Sequence, residues 1–401
     1  MKKALIVLLI LGVTGGIFAQ ELSWSGNIQT GFVIDMGDSY KDPVIRADDD
    51  DIGVPVQARL NLDVAGGDWG LRFGTGADVT QDGTPEFVFG NAHGWIDFAD
   101  GLLKLRAGLI DDKVWATGGE IDDDVSTGLG ARIEVMPFGD MLNFGVFLNY
   151  DNESDPMTVK DWLASTAFGV SFDYEEIMNL KFAVAMKMSP EKIYTYEELI
   201  DDSDPIEENW VYESIEATEG INYNSKLVFM LGISPIPMLN ILIDGNALKL
   251  GGYNEAGTLT VYEEITFSGV EDLLAGVLLG QGFSSKSKEN FNFYSEGHYS
   301  EYSNDEAAID WFLIKPWVEY SINESWSAGL GVPIVLADSD GLSFASFGAD
   351  LWGKYTIESA FAKIGYGFTK YADAFGGYEP PDFDHRGHAN HYIRVTFGFS
   401  F

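Results

Sequence analysis

Residues 390–401, at the end of the chain, read NHYIRVTFGFSF. Every second side chain is apolar, and the positions between them are mostly polar or small. Because side chains alternate across a β-strand, this pattern predicts a strand with one apolar and one polar face. Such a strand would aggregate at the edge of a soluble sheet, whereas in a closed barrel it pairs with the first strand. We therefore predict a barrel-closing strand with an apolar face formed by Ile393, Val395, Phe397, Phe399 and Phe401.

The first twenty residues are typical of an export signal. Lys2 and Lys3 precede an apolar run over residues 4–13, and small residues follow it. The run is too short to span a membrane as a helix and fits a secretory signal peptide. We predict a signal peptide over residues 1–20 and a single barrel domain over residues 21–401. The chain contains no cysteine, so no disulfide is expected in the exported protein.

Composition excludes several classes of protein. After the predicted signal there is no run of about eighteen apolar residues, so no helical membrane span is predicted. Hydrophobic residues nevertheless make up 46% of the chain, with 46 glycines, and they occur at alternate positions, which favours a transmembrane barrel. The signal holds two of the 24 basic residues and none of the 63 acidic ones, which leaves a net charge of −41. That sign disfavours a nucleic-acid partner.

Alternating segments recur along the chain and are joined by short and long connections in turn. The alternation predicts an all-β, transmembrane antiparallel up-and-down β-barrel of about 16 strands, with short periplasmic turns and long extracellular loops. Seven short turns separate fourteen of these strands, at residues 65–70, 99–101, 137–140, 175–178, 234–237, 322–324 and 357–359.

The connection over residues 251–310 leaves the strand count open. Further strands at residues 258–267 and 291–299 would raise the count to 18, and residues 273–279 could form a short helix in the barrel mouth.

Specific segments resemble bacterial outer-membrane barrels of the general porin type. SGNIQTGFVID at residues 25–35 resembles their opening strand, and GWIDFADGLLKLRAGL at residues 94–109 resembles a porin hairpin, although Arg106-Ala107-Gly108 replaces the usual Gly-Arg. The resemblance implies a water-filled channel in the bacterial cell outer membrane for passive diffusion of small hydrophilic solutes and ions. It also implies insertion into outer-membrane lipid by the barrel-assembly machinery, and a possible homotrimer. Small outward residues on the early strands would permit a flat contact in that trimer: Gly26, Thr30, Ala58, Thr75 and Ala107.

Basic residues are concentrated on the predicted inward faces, while most acidic residues lie in the long loops. A basic wall favours anions and an acidic vestibule concentrates cations, so the sequence leaves the ion preference open. Twelve basic residues are predicted to line the pore: Arg59, Arg72, Lys104, Arg106, Arg132, Lys181, Lys187, Lys226, Lys315, Lys354, Lys363 and Arg394.

In general porins the loop after the fifth strand folds into the barrel, and residues 110–126 correspond to it here. We expect this constriction loop to lie against the basic wall formed by Arg59, Arg72, Lys104, Arg106 and Arg132. The alternative is a solvated outer loop. The predicted constriction-loop acids are Asp111, Asp112, Glu120, Asp122, Asp123 and Asp124.

Two other classes of function were weighed. His385, His388 and His391 lie near Asp382 and Asp384, but the spacing fits a loop better than a metal site, so neither a metal nor a cofactor is predicted. No histidine has a partner set for nucleophilic catalysis, so the chain is predicted not to be an enzyme. The alternative function is a surface adhesin or structural barrel whose acidic loops, at residues 188–222 and 251–310, bind a partner.

Overall fold

The structure is a computed structural model of the chain. The predicted signal peptide at residues 1–20 lies outside the described residues, as do residues 291–299. The structure describes residues 21–36, 43–47, 56–79, 84–116, 119–121, 125–150, 165–175, 178–192, 195–199, 211–215, 221–248, 258–284, 310–338, 342–371 and 391–401.

Eighteen antiparallel strands form a closed barrel in which each strand pairs with its neighbours in the chain. Four shorter strands lie in the connections, at Val44–Ala47, Pro137–Asp140, Thr195–Leu199 and Val211–Ile215. The barrel strands are β1 (Glu21–Asp35), β2 (Val56–Ala65), β3 (Trp69–Val79), β4 (Pro85–Phe98), β5 (Leu103–Ile110), β6 (Gly128–Val135), β7 (Leu142–Asn149), β8 (Thr166–Tyr174), β9 (Leu180–Lys192), β10 (Ile221–Ile236), β11 (Leu239–Leu248), β12 (Thr258–Val270), β13 (Leu273–Ser284), β14 (Asp310–Ser321), β15 (in two parts, Trp326–Gly331 and Ile334–Asp338), β16 (Leu342–Ile357), β17 (Ala360–Tyr371) and β18 (His391–Ser400).

The predicted fold class is confirmed, with 18 strands. The hairpin of β12 and β13 supplies the two strands beyond sixteen, and the predicted helix at residues 273–279 is wrong because these residues belong to β13. The alternation of apolar and polar residues is not visible in this hairpin, because both of its faces are apolar. Leu278 packs inward against Tyr262 and Trp311, while Leu279 lies on the outward face.

The barrel closes where β18 pairs with β1, in a register that runs from Asn27 opposite Ser400 to Asp35 opposite Tyr392. The terminal residue continues this seam, because the backbone N–H groups of Gly26 and Phe401 each donate to the other residue's carbonyl oxygen at 2.9 Å. On the outer surface the ring of Phe401 packs 5.7 Å from that of Trp24. The other edge of β1 pairs with β2, so neither edge of the first strand is left open.

Exposure alternates along the strands as a membrane barrel requires. On β7, β8 and β9 the outward Phe144, Phe168 and Phe182 are exposed, whereas the inward Phe147 and Ala167 are fully buried. The burial inside arises from a segment that enters the barrel, as described below. No helix among the described residues is long and apolar enough to cross a membrane.

Closure at the seam depends on a close approach at Gly26. A Cβ atom placed there would lie 2.4 Å from the backbone oxygen of Arg59 and 2.6 Å from the Phe401 ring. We expect Gly26→Ala to destabilise the folded barrel by about 1–3 kcal/mol, as overpacking usually does. The midpoint of urea unfolding in detergent micelles or vesicles, followed by tryptophan fluorescence, measures the loss.

Gly353→Ala is the matched control, because it also lies on an outward strand face. The nearest atom to its added Cβ is the Ser327 backbone oxygen at 4.0 Å. Its unfolding midpoint should stay within about 0.5 kcal/mol of wild type. Equal losses in both variants would contradict the closure account.

Candidate channel interior and its inner loop

The described residues between β5 and β6, which are 111–116, 119–121 and 125–127, are here called the inner loop. Its first acidic residues bind side chains on the inward faces of β3, β4 and β5. Asp112 accepts hydrogen bonds from Arg72 Nη1 at 2.6 Å and from Arg106 Nη1 at 2.5 Å. Asp111 accepts one from Asn91 Nδ2 at 2.6 Å. Charge-assisted bonds of this kind are the stronger class, so Asp112 fixes the start of the inner loop to the barrel wall.

Arg132 on β6 ties the two ends of the inner loop together. Its Nη1 donates to the backbone oxygen of Asp112 at 2.7 Å and to that of Ser126 at 2.9 Å. Its Nε donates to Glu134 Oε1 at 2.9 Å, and both side chains are almost completely buried. Because an unpaired buried charge is costly, Arg132 and Glu134 depend on each other and on the loop backbone.

Glu134 also balances charge beyond this pair. It accepts from Arg106 Nε at 2.9 Å and from Asn143 Nδ2 at 3.0 Å. Arg72 in turn donates through Nε to Asp63 Oδ1 at 2.6 Å. The three arginines under this part of the loop therefore face at least as many carboxylates, so the wall there carries no excess of positive charge.

The middle of the inner loop is held by a buried indole ring. Trp115 is fully buried, and its ring lies next to Gly145 on β7 and Gly169 on β8, which are directly paired across the two strands. A Cβ atom at either glycine would lie 2.1–2.2 Å from the ring. Around the ring an apolar cluster joins the loop to β5 and to β7–β11: Ile110, Val114, Ala116, Val125, Phe147, Ala167, Ala183, Ala185, Val228, Met230 and Leu242.

The far part of the loop reaches the opposite strands. The backbone N–H groups of Glu120 and Ile121 donate to the carboxylate of Asp244 on β11. The Ile121 side chain packs against an apolar cluster on β12–β15 that contains Tyr262, Trp311 and Leu313. The hydrogen bonds of the loop and the two apolar clusters that it joins thus involve thirteen successive strands, β3 to β15. Only the inside of a closed barrel brings those faces together, so the inner loop lies within it.

Asp112 has a strongly perturbed acidity. Its pKa lies well below the ordinary carboxyl value, because the nearby His93 imidazole and the Arg106 and Arg72 guanidinium groups favour the ionised form. The imidazole Nε2 of His93 is 3.6 Å from Asp112 Oδ2. Docking of the loop therefore stabilises the carboxylate, and the carboxylate stabilises docking.

The predicted basic wall contacts the inner loop only in part. Arg72, Arg106 and Arg132 bind it directly. Arg59 pairs instead with Asp78 through two guanidinium nitrogens, and Lys104 lies 3.5 Å from Asp97. The predicted loop acids Asp122, Asp123 and Asp124 lie outside the described residues.

The remaining predicted pore-lining cations lie on β9, β10, β14 and β16–β18. Lys181 pairs with Asp173 at 3.2 Å, and Lys187 lies directly opposite Lys226 across β9 and β10. Lys315 on β14 is close enough to Glu264 on β12 to interact with its charge. The other three occupy neighbouring inward positions on β16, β17 and β18: Lys354, Lys363 and Arg394.

Those three cations each lie over an aromatic ring, and together they form what we call the cation–aromatic wall. Lys354 lies 4.9 Å from the Phe361 ring centre, Lys363 lies 5.8 Å from that of Trp352, and Arg394 lies 5.3 Å from that of Tyr392. The Tyr392 hydroxyl donates to Asp350 Oδ1 at 3.0 Å. The three cations are partly exposed toward the barrel interior, where a passing solute would meet them.

Sequence reasoning missed the residues that hold the middle of the loop. The sequence predicts no role in loop docking for Trp115, for His93 or for the paired Gly145 and Gly169. A tryptophan within an acidic, otherwise polar loop is the available signal for a docked segment. The glycine pair cannot be recognised without the strand register that brings the two residues side by side.

The histidine group near the C-terminus is described only in part. His385 and His388 lie outside the described residues, and the His391 ring is 2.8 Å from the Tyr366 hydroxyl. Within the part of the chain that the structure describes, no group of three or more His, Cys, Asp or Glu side chains is placed to hold a metal ion.

The Trp115 contact gives a direct test of loop docking. The chain has no cysteine, so Val125→Cys introduces a single thiol, which is buried while the loop is docked. Adding Gly169→Ala should displace the ring at a cost of about 1–3 kcal/mol and raise the rate of thiol labelling by roughly tenfold or more. Gly365→Ala, on the inward face of β17, is the control, because the nearest atoms are 3.8 Å from its added Cβ. Slow labelling in both backgrounds would contradict the docking role of Trp115.

Comparisons with known proteins support the fold. No protein-family model and no curated protein matches the chain. Among solved structures, OccAB1 of Acinetobacter baumannii matches 96% of this chain and 97% of its own length, at 10% identity and a TM-score of 0.55. A variant of OccD1 (OprD) covers 96% of both chains at 9% identity and a TM-score of 0.54. OccAB3 of A. baumannii covers 95% of this chain and 99% of its own at 11% identity and a TM-score of 0.50. The chain therefore has the fold of a porin-type outer-membrane β-barrel.

Proposed function

We propose that the chain is an outer-membrane porin that forms a water-filled channel for passive diffusion of small hydrophilic solutes and ions. The observation that carries the proposal is the inner loop docked inside the barrel on β3–β15. The loop narrows the interior. Its described contacts do not include the cation–aromatic wall. Barrels of this size are too wide to be filled by their own side chains, so the remaining space holds water.

The charges on the two sides of this space support passage of small polar solutes. The loop side presents carboxylates held by arginines, whereas the opposite wall presents Lys354, Lys363 and Arg394. A field across the water column orients small polar solutes and disfavours bulky apolar ones. Because the arginines under the loop are matched by carboxylates, we propose a general channel with weak ion selectivity.

Location and assembly belong to the same proposal. Residues 1–20 would direct export and be removed, and the apolar outer surface would lie in outer-membrane lipid. The C-terminal strand would be recognised by the barrel-assembly machinery, and a homotrimer would follow the general porin pattern. No catalytic role, cofactor or metal is proposed.

Conductance of the purified chain in a planar bilayer tests the channel. Stable ohmic steps are expected, with a small reversal potential in a salt gradient, and vesicles containing the protein should swell in isotonic solutions of small sugars. A folded barrel that inserts but carries no current and admits no sugar would refute the proposal.

Asp112 provides a test of the constriction. Asp112→Asn weakens two charge-assisted hydrogen bonds, each worth about 1.5–3 kcal/mol, so single-channel conductance should become larger or noisier at neutral pH. Because the pKa of Asp112 is lowered on docking, its contribution is full above the ordinary carboxyl pKa of about 4 and falls as the pH drops below it. Wild-type conductance should therefore show the same change only in acid, below a pH of about 4.

Asp111→Asn is the control for this experiment. Asp111 bonds a neutral amide rather than two guanidinium groups, so its replacement should change conductance less at every pH. Equal effects of the two substitutions would show that the charge network does not hold the constriction.

A second candidate function is a surface adhesin or structural barrel, and one observation favours it. Thr195–Leu199 pairs with Val211–Ile215 in a two-stranded sheet separate from the barrel sheet. An ordered hairpin in a long acidic loop could present a binding surface. Deletion of residues 195–215 that abolishes surface binding but leaves conductance unchanged would show that both functions coexist.

A further inference from the structure

Glu263 on β12 lies on the outer surface of the barrel. Its two chain neighbours point inward, because Tyr262 belongs to the buried cluster of β12–β15 and Glu264 interacts with the inner loop and with Lys315. Successive side chains of a strand point to opposite faces, so Glu263 faces outward. Its partners across the sheet are Ile243 and Leu279, both apolar.

The position of Glu263 is central along the strand. It lies four positions after the exposed Leu259, which is nearer the loops, and four positions before the exposed Phe267, which is nearer the turn. At about 3.3 Å per residue and a strand tilt near 40°, each interval corresponds to roughly 10 Å of depth. A barrel with an apolar band about 25 Å tall would place this carboxyl near the middle of the bilayer.

Glu263 is also unusual among the charged residues of the strands. Among the strand residues whose side chains the structure describes, Glu263 is the one charged group on an outward face. No described residue donates a hydrogen bond to Glu263 or forms an ion pair with it. Hydrocarbon offers neither, so a carboxyl group at that depth is stable only where a donor group of a protein reaches it.

The neighbouring strand carries the complementary group. Gln281 on β13 also faces outward, is paired with Val261, and is therefore a diagonal neighbour of Glu263, about 7–8 Å away between Cα atoms. It is the one amide on the outward strand faces within the described residues. An acceptor and a donor side by side form a self-complementary pair.

The surface around this pair differs from other parts of the barrel in where large side chains are exposed. On β11–β14 the exposed large apolar side chains lie toward the strand ends. Elsewhere some are exposed near the middle of a strand, for example Leu60, Leu351 and Ile364. Four strands spaced about 4.8 Å apart and an apolar band about 25 Å tall give roughly 480 Å² per copy. Two such faces together approach the roughly 1,000 Å² of a stable protein interface.

We propose that the outward face of β11–β14 binds a second copy of this chain across a two-fold axis. In this contact each Glu263 carboxyl accepts a hydrogen bond from Gln281 of the other copy. A two-fold contact repeats every interaction, so the two polar groups of each copy satisfy those of the other. This contact rests on the membrane location proposed above, and it is distinct from the early-strand face to which the porin resemblance assigns a trimer.

Cysteine crosslinking in isolated outer membranes tests the contact. Val261→Cys introduces the only thiol of the chain, at the centre of the proposed interface. A short bis-maleimide should convert most of the protein to a covalent dimer. Ile364→Cys, in an exposed mid-strand position on β17, should give little dimer under the same conditions. Equal yields at the two positions, or a Val261→Cys product with another protein, would overturn the proposal.

The role of the polar pair is tested in the Val261→Cys background. Glu263→Leu removes the acceptor and should lower the dimer yield by roughly fivefold, whereas Glu263→Gln keeps a hydrogen-bonding group and should retain the dimer. An undiminished yield in Glu263→Leu would also overturn the proposal. Far-UV circular dichroism confirms that each variant is folded. Conductance is recorded in parallel, so a barrel that crosslinks without conducting would refute the channel but not the contact.

Discussion

The pairing of the backbone at the seam between β1 and β18 is the constraint on which the rest of the structure depends. A sheet with open edges would expose N–H and C=O groups to lipid, where nothing else can satisfy them. The hydrogen bonds between Gly26 and Phe401 extend the ladder to the terminal residue. Once the edges meet, the sheet has an inside and an outside. Each side chain then faces either the lipid or the enclosed space, so its polarity affects the stability of the barrel.

The interior shows what closure makes possible. A segment that leaves β5 can contact β3 and β15 at once only because those strands face one another across a common space. Three kinds of interaction hold it there: an ionic network at Asp112, a ring on two glycines at Trp115, and backbone bonds to the Asp244 carboxylate. They act at different points along the loop, so loss of one leaves the others in place. A loop held in this way has a fixed position, which a size-selective constriction requires.

Alternation along the sequence predicted much of this. Strand parity placed Arg72, Arg106 and Arg132 inward, and the structure finds them in contact with the inner loop. The sequence leaves the β12–β13 hairpin as an alternative, because inner-loop packing requires apolar residues such as Leu278 on its inward face, which removes the polar half of the pattern. The sequence also does not predict which basic side chain pairs with which carboxylate. Arg59 and Arg72 both face inward, yet one pairs within the wall and the other binds the loop, and only the register between strands decides this.

Residues that depart from the alternation of apolar and polar side chains also have a physical cause. Inward apolar residues such as Phe147 and Leu313 are unexpected in a hydrated channel, and each turns out to contact the inner loop or its supporting cluster. The outward carboxyl of Glu263 is the reverse violation, and among the described residues it has no hydrogen bond or ion pair that would explain it. On the inward face, an unexpected apolar side chain indicates a protein segment packed against it. By the same physics a polar side chain out of place on the outer surface indicates protein in contact with that surface.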